Sequence, residues 1–173
     1  MDFAVVLYFD SNTEGKIQTL IKKIADGNGN PYMIDHAIPP HVTVAYFEKE
    51  IPDGLPELLD QVVPMIGAQN VDFASIGVFN PYVIFLAPVF TEYLLHCCTL
   101  VNEKLKPVVT GKSTQHLPDH WVPHATLAVK MSPDELKTAF DIVQREFKAF
   151  SGKATRMALA YCNPYREIKI WEL

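Results

Sequence analysis

Two histidines of this chain lie in the same short motif, a proline followed by His-x-Thr. The first motif contains His41 and Thr43, and the second contains His124 and Thr126. A random chain of this composition would hold about 0.35 His-x-Thr matches. Here two occur, each after a proline and each at the start of an apolar, strand-like run. The repeated motif is therefore the feature that most needs a chemical explanation.

Side chains two residues apart in a strand point to the same face, so each motif presents one imidazole and one hydroxyl together. Opening a phosphodiester needs one group that takes a proton from the attacking oxygen and another that gives one to the leaving oxygen. Imidazole titrates near neutral pH, so one ring can be neutral while its partner is protonated. We predict that His41 and His124 divide these roles and that Thr43 and Thr126 bind the phosphate oxygens. The scheme requires no metal and no cofactor.

The elements around the two motifs follow the same order twice. Apolar periodicity and turn residues predict helices over residues 14–25, 55–68, 92–105 and 133–150, and strands over residues 4–9, 41–47, 71–79, 82–87, 124–130, 155–162 and 167–173. An Asn-Pro pair separates the strands of each predicted hairpin, at Asn80-Pro81 and at Asn163-Pro164. This repetition indicates an internal duplication.

The predicted fold class is α+β, with two pseudo-symmetric lobes of mainly antiparallel sheet, outer helices and an active-site cleft between the lobes. We place the lobes at about residues 1–80 and 81–173 of a single domain. A pseudo-twofold relation between the lobes would bring the starts of the two motif strands together in the cleft.

Composition limits the possible partners. The chain has 173 residues, a formal net charge of −5 and three cysteines. A negative protein is poorly suited to long duplex nucleic acid, which binds broad basic surfaces, whereas a small nucleotide or an RNA end remains possible. No apolar run is long enough to span a bilayer and no signal peptide is evident. We expect a cytoplasmic monomer with reduced thiols and no membrane association.

The paired motifs resemble those of the two-histidine (2H) phosphoesterases, a family that includes bacterial 2'-5' RNA ligase-like proteins and cyclic nucleotide phosphodiesterases. The matching segments are His41-Val42-Thr43-Val44 and His124-Ala125-Thr126-Leu127. The resemblance implies that the two histidines are general acid and base and that the two threonines bind phosphate. It also implies action on 2',3'-cyclic phosphates or related nucleotide and RNA-end phosphodiesters, with 2'-5' RNA joining as a side activity.

Other residues have weaker claims to the site. His36 and His120 each follow an aspartate shortly before a motif histidine, and either contact substrate or order the loop. Arg166 could pair with a phosphate, and Trp121 is the best candidate for stacking on a base. Tyr46 is expected in the core, because its position along the strand is out of phase with His41. The spacing of His36 and His41 resembles half of a zinc site, but no further ligand motif accompanies it.

A second class of function is open at the level of sequence. A protein that keeps the cleft without turnover would be a non-catalytic binder of nucleotides or RNA ends. Both classes predict binding, and only turnover separates them.

Overall fold

A computed structural model describes residues 2–28, 30–48, 50–109 and 114–173. The predicted 111–123 loop thus lies partly outside the described residues. The strands are β1 (Phe3–Phe9), β2 (Val42–Phe47), β3 (Gln69–Phe79), β4 (Val83–Pro88), β5 (Ala125–Ala128), β6 (Phe150–Cys162) and β7 (Tyr165–Glu172). The helices are α1 (Ser11–Asn28), α2 (Tyr32–Asp35), α3 (Leu55–Val62), α4 (Glu92–Leu105) and α5 (Pro133–Glu146), with short 3₁₀ turns at Val63–Met65 and Thr114–His116.

Helices α3 and α5 end before their predicted last residues, for local reasons, whereas α1 extends three residues beyond its predicted range at each end. Helix α3 stops at Val62 and tightens into a 3₁₀ turn, since Pro64 has no N–H for the helical ladder. Helix α5 begins with a capping box between Ser132 and Glu135 and ends at Glu146. Phe150, predicted as its last residue, instead starts β6 and packs its ring 5.1 Å from that of Phe73.

Within the described residues the strands form one antiparallel sheet in the order β1-β2-β5-β4-β3-β6-β7, and β1 also pairs with β6. The α+β class and the antiparallel sheet are thereby confirmed. Strand β1 pairs with β6 from Phe3–Tyr161 to Phe9–Ala154, and β3 pairs with the first part of β6, so strands of the two sequence halves alternate in one sheet. The lobes at residues 1–80 and 81–173 stay a prediction. Periodicity predicts that a segment is a strand but not which strand it pairs with.

The helices cover one side of the bent sheet, where the main core lies between α1, α4, α5 and the strands. Strand β1 is buried on both faces. Its odd-numbered residues belong to that core, while Ala4, Val6 and Tyr8 form a small second cluster with Ala158 on the opposite face. Ala4 and Val6 of this second face line a cavity together with motif side chains, and we call it the concave face. No helix among the described residues combines the length and the apolar character needed to cross a bilayer.

Candidate active site

The two motif strands meet where their motifs begin. Strands β2 and β5 pair antiparallel through Val42 and Ala125, which are fully buried. One step to either side, antiparallel register sets His41 opposite Thr126 and Thr43 opposite His124. Since alternate residues share a face, all four motif side chains project away from the main core on the same face of the strand pair. The sequence-predicted quartet is thus assembled by one point of strand pairing.

Both motif strands contain the same irregularity. In β2 the pairing with β1 skips Val44, and in β5 the pairing with β4 skips Leu127, the residue directly after each motif threonine. An unpaired bulge residue shifts the alternation by one position. Tyr46 therefore returns to the face of His41 and Thr43 and lines the concave side, so the expectation that its ring lies in the core is wrong.

Equivalent backbone carbonyls orient the two catalytic candidates. Nδ1 of His41 lies 2.8 Å from the oxygen of Pro39, and Nδ1 of His124 lies 2.7 Å from the oxygen of Val122. A carbonyl can only accept, so Nδ1 carries the proton in each ring. Nε2 is then the atom that takes up or releases a proton during a reaction. Both rings are fixed in the same tautomer by the residue two positions upstream.

Burial favours the neutral form of both imidazoles. It lowers the pKa of His41, and the nearby His124 lowers it further, against a smaller upward effect of the Pro39 carbonyl. Burial also lowers the pKa of His124. A bound phosphate would oppose this effect, because an adjacent negative charge stabilises the imidazolium.

The surroundings of the two rings differ. The ring of His41 stacks on Tyr165 with centroids 6.0 Å apart. His124 instead meets two phenyl rings, Phe79 at 4.9 Å and Phe85 at 5.2 Å. One histidine thus borders a hydroxyl-bearing ring, whereas the other sits in an apolar corner.

Two adjoining cavities flank the quartet. The first has a volume of about 250 Å³ and is bordered by His41, both threonines and Tyr165. The second, of about 360 Å³, is bordered by His124 together with Phe79 and His120. His116 lines both cavities and so marks where they join. The quartet therefore has open space next to both motif histidines.

A family description matches residues 6–163 of this chain, both motifs included. The chain belongs to the 2'-5' RNA ligase superfamily. The resemblance to the 2H phosphoesterases is thus confirmed. Among curated proteins none matches the chain significantly.

Solved structures related to the superfamily share this architecture at low sequence identity. A phosphoesterase structure is 15% identical, with a TM-score of 0.66 over 99% of this chain and 97% of that one. Escherichia coli LigT in complex with 3'-AMP is 15% identical, with a TM-score of 0.61 over 99% and 96%. Usb1 of Kluyveromyces marxianus is 12% identical, with a TM-score of 0.51 over 99% and 97%. At these identities the likeness establishes the fold.

One cleft residue of this superfamily member was missed at the level of sequence. The ring of His116 stacks on Tyr46, with centroids 5.5 Å apart, and lies 6.4 Å from His124. Burial lowers the pKa of His116 to about 4. Its backbone oxygen accepts from Asn102, whose Nδ2 also donates to the oxygen of the bulge residue Val44. No motif surrounds His116, so only its proximity in the fold identifies it.

Trp121 does not serve as a platform for a base. Its side chain is only 6% exposed and lies in the main core beside Phe90. The indole Nε1 donates to the backbone oxygen of Thr43 at 3.0 Å. The expectation of base stacking is corrected accordingly, because the ring instead supports the backbone of the first motif.

The remaining candidates separate into one cavity residue and two that lie elsewhere. His120 lines the second cavity. His36 is exposed, stacks on Tyr32 at 3.9 Å and borders neither cavity beside the quartet, which favours the loop-ordering alternative. Arg166 is also exposed, with its guanidinium over the ring of Tyr161. It follows Tyr165 in β7 and so projects to the opposite face, which corrects its expected contact with phosphate.

Among the described residues, no three His, Cys, Asp or Glu side chains lie close enough together to hold a metal ion. The three cysteines are free, and Cys97 and Cys98 are buried in α4.

Proposed function

We propose that the protein is a metal-independent phosphodiesterase that opens 2',3'-cyclic phosphates, or related phosphodiesters at nucleotide and RNA ends, by acid–base catalysis with His41 and His124. The observation that supports this most directly is the register of β2 and β5, which sets each histidine opposite the threonine of the other motif. Membership of the superfamily supports a phosphodiester-acting enzyme, and the quartet supplies the groups that such a reaction needs.

Each group has a task that follows from its chemistry. Thr43 and Thr126 donate hydroxyl hydrogen bonds to the non-bridging oxygens, which holds the phosphorus between the two imidazoles. One Nε2 removes a proton from the attacking oxygen while the other delivers a proton to the leaving oxygen. The Nδ1 contacts to Pro39 and Val122 keep both rings in the orientation and tautomer that these transfers require.

Substrate binding would cause the two histidines to take up the proton that the general acid needs. Burial lowers the pKa of both histidines, so the unliganded site holds two neutral rings at neutral pH. An anionic phosphodiester raises these pKa values when it binds, and the pair then takes up one proton that either ring can hold. The coupled pair becomes one acid and one base in the complex.

The substrate class follows from the shape and charge of the site. Cavities of about 250 and 360 Å³ suit a small nucleotide or the end of an RNA chain better than a duplex. Escherichia coli LigT, which shares the fold, has been crystallised with 3'-AMP and with ATP. The net charge of −5 also favours small ligands over long nucleic acid.

A substrate panel tests the proposal. Purified protein is incubated with 2',3'-cyclic nucleotides and 2'-5' dinucleotides, with and without EDTA, and products are separated by chromatography. We expect turnover that EDTA leaves intact. His41→Ala and His124→Ala should each lower kcat by about a hundredfold or more, since each removes one proton-transfer group. Thr43→Ala and Thr126→Ala should cost less, because two hydroxyls share the phosphate.

His96 provides the matched control. It is an exposed histidine on α4 that lines neither cavity beside the quartet, so His96→Ala should leave kcat and KM unchanged. Binding of a nucleotide at micromolar concentration without turnover of any substrate would overturn the catalytic proposal and favour the binder. Loss of activity in EDTA would overturn the metal-independent scheme.

A further inference from the structure

Tyr165 is the polar neighbour of His41 on the concave face. Its ring stacks on the imidazole at 6.0 Å and lines the same cavity as Thr43 and Thr126. Burial raises the pKa of Tyr165 to about 12, so its hydroxyl is neutral in the working range. The orientation of that hydroxyl proton decides what the tyrosine can offer to a ligand.

The direction of the proton follows from counting donors. The hydroxyl of Tyr8 donates to Oε1 of Glu167 at 2.8 Å, and a carboxylate can only accept. The hydroxyls of Tyr8 and Tyr165 are themselves hydrogen-bonded to each other. Tyr8 has one proton and Glu167 receives it, so Tyr165 must donate in the second bond. The proton of Tyr165 is thereby committed to Tyr8, and its oxygen keeps only accepting lone pairs.

Tyr8 is held firmly enough to maintain this order. It is 1% exposed and is the second-last residue of β1. The guanidinium of Arg156 lies 5.4 Å from its ring centroid and donates to Oε1 of Glu14 at 2.6 Å. The phenol is therefore fixed between a cation on its ring face and a carboxylate at its hydroxyl.

The accepting oxygen of Tyr165 makes the surroundings of His41 different from those of His124. The rings around His124, those of Phe79 and Phe85, carry no hydroxyl. A water molecule beside His41 has two O–H groups, one for Nε2 and one for the Tyr165 oxygen. A ribose hydroxyl has only one, which must go to the base. The environment of His41 thus suits water as the attacking group.

We propose that Tyr165 orients the attacking water beside His41, which makes His41 the general base, His124 the general acid and hydrolysis of a cyclic phosphate the favoured reaction. This inference rests on the function proposed above. The water oxygen forms a bond to phosphorus as the bond from phosphorus to one ribose oxygen breaks. One water proton passes to Nε2 of His41, and His124 gives its proton to the ribose oxygen. The second water proton stays on the product phosphate, and solvent restores the protonation of both histidines.

The test uses competition between nucleophiles in the intact protein. Wild type, Tyr165→Phe and the control Tyr161→Phe act on 2',3'-cyclic nucleotides in water containing methanol, and the ratio of methyl ester to phosphomonoester is measured by chromatography. Methanol has one O–H and needs no second acceptor. Tyr165→Phe should lower kcat for hydrolysis by about tenfold with KM unchanged, as expected for one lost hydrogen bond to the reacting oxygen. It should raise the methyl ester ratio by a similar factor.

The ratio does not depend on how much protein is folded, so a merely structural effect of the substitution would leave it unchanged. Tyr8→Phe, which frees the Tyr165 proton to rotate, should shift the ratio in the same direction by less. An unchanged methyl ester ratio in Tyr165→Phe, with wild type active, would overturn the role of Tyr165 alone. Wild type without turnover of any cyclic phosphate would overturn the proposed function, and this inference with it.

Discussion

Replacing Gly77 by alanine should disturb catalysis through a ring that does not itself react. Gly77 faces Phe85 across the β3–β4 ladder, and an ideal Cβ at Gly77 would lie 2.3 Å from two carbons of the Phe85 ring. That ring cannot move aside freely, since Phe85 is only 4% exposed and its centroid lies 4.4 Å from Phe79. His124 lies on the same ring, at 5.2 Å. The added methyl group must therefore push Phe85 against the second motif histidine.

The size of the effect follows from the overlap. Carbon atoms in contact prefer about 3.5–4.0 Å, so the ring has to shift by more than about 1 Å. Overpacking of this kind costs about 1–3 kcal/mol of unfolding free energy. A displacement of about 1 Å in a catalytic group can cost about a hundredfold in rate. We expect Gly77→Ala to lose stability and, in addition, to lower kcat/KM by one to two orders of magnitude.

Two other glycines supply matched controls for denaturant unfolding and for kcat/KM on a cyclic nucleotide. At Gly152 a Cβ would lie 2.6 Å from Thr13, beyond the cavities beside the quartet, so Gly152→Ala should destabilise the fold and leave kcat/KM of the folded protein intact. At Gly15, in α1, a Cβ would meet nothing within 4 Å, so alanine should stabilise by up to about 1 kcal/mol. If Gly77→Ala destabilised like Gly152→Ala without slowing catalysis, the coupling of Phe85 to His124 would be refuted.

Three further predictions concern the dependence of activity and stability on pH and the hydrogen bonds from Asn102 to Val44 and His116. The pKa values of His41 and His124 are lowered, so kcat/KM should peak below neutral pH and fall as rising pH removes the protonated histidine. The kcat profile should lie at higher pH, because bound phosphate raises both pKa values. Coincident pH profiles of kcat and kcat/KM would contradict this prediction. The pKa of His116 is about 4 when folded. Against an unfolded value near 6.5, His116 alone should lower the unfolding free energy by about 3 kcal/mol as pH drops from 7 to 4. His116→Asn should remove this contribution in denaturant titrations and leave those of His41 and His124. Asn102→Leu removes the amide that donates to the carbonyls of Val44 and His116. It should lower the unfolding free energy by about 2 kcal/mol in denaturant titrations, with an unchanged denaturant slope. A loss below about 0.5 kcal/mol would refute the stabilising role of these two hydrogen bonds.

Local patterns predicted the elements that carry the chemistry. Beta-branched and aromatic residues after His41 and an apolar, strand-like run after His124 indicated two strands. The duplication indicated that these strands would meet. The pairing of Val42 with Ala125 is consistent with that expectation and also defines the register, which no local pattern contains. The proton-directing contacts from Pro39 and Val122 likewise depend on backbone geometry rather than on residue type.

The failures arise from non-local packing. Tyr46 was assigned to the wrong face because a bulge at Val44 breaks the alternation on which the argument depended. Trp121 was expected to stack on a base because it lies in the loop before the second motif, yet its indole donates to the Thr43 carbonyl and is buried in the core. The backbone oxygen of His116 accepts a hydrogen bond from Asn102, fourteen residues away along the chain. Each case depends on a contact that the local sequence does not encode.

The contact between β2 and β5 has a mechanical consequence. Among the described residues, these strands pair only through Val42 and Ala125, so this strand pair has the fewest paired residues in the sheet. We call this single pairing the joint. A phosphate that binds one histidine and one threonine from each strand would connect β2 and β5 at this point. Ligand occupancy should then slow amide hydrogen exchange most strongly on either side of the joint, and the stability gained should follow the ratio of free ligand to Kd. The bound substrate would thus stabilise the same strand pair that positions the residues that bind it.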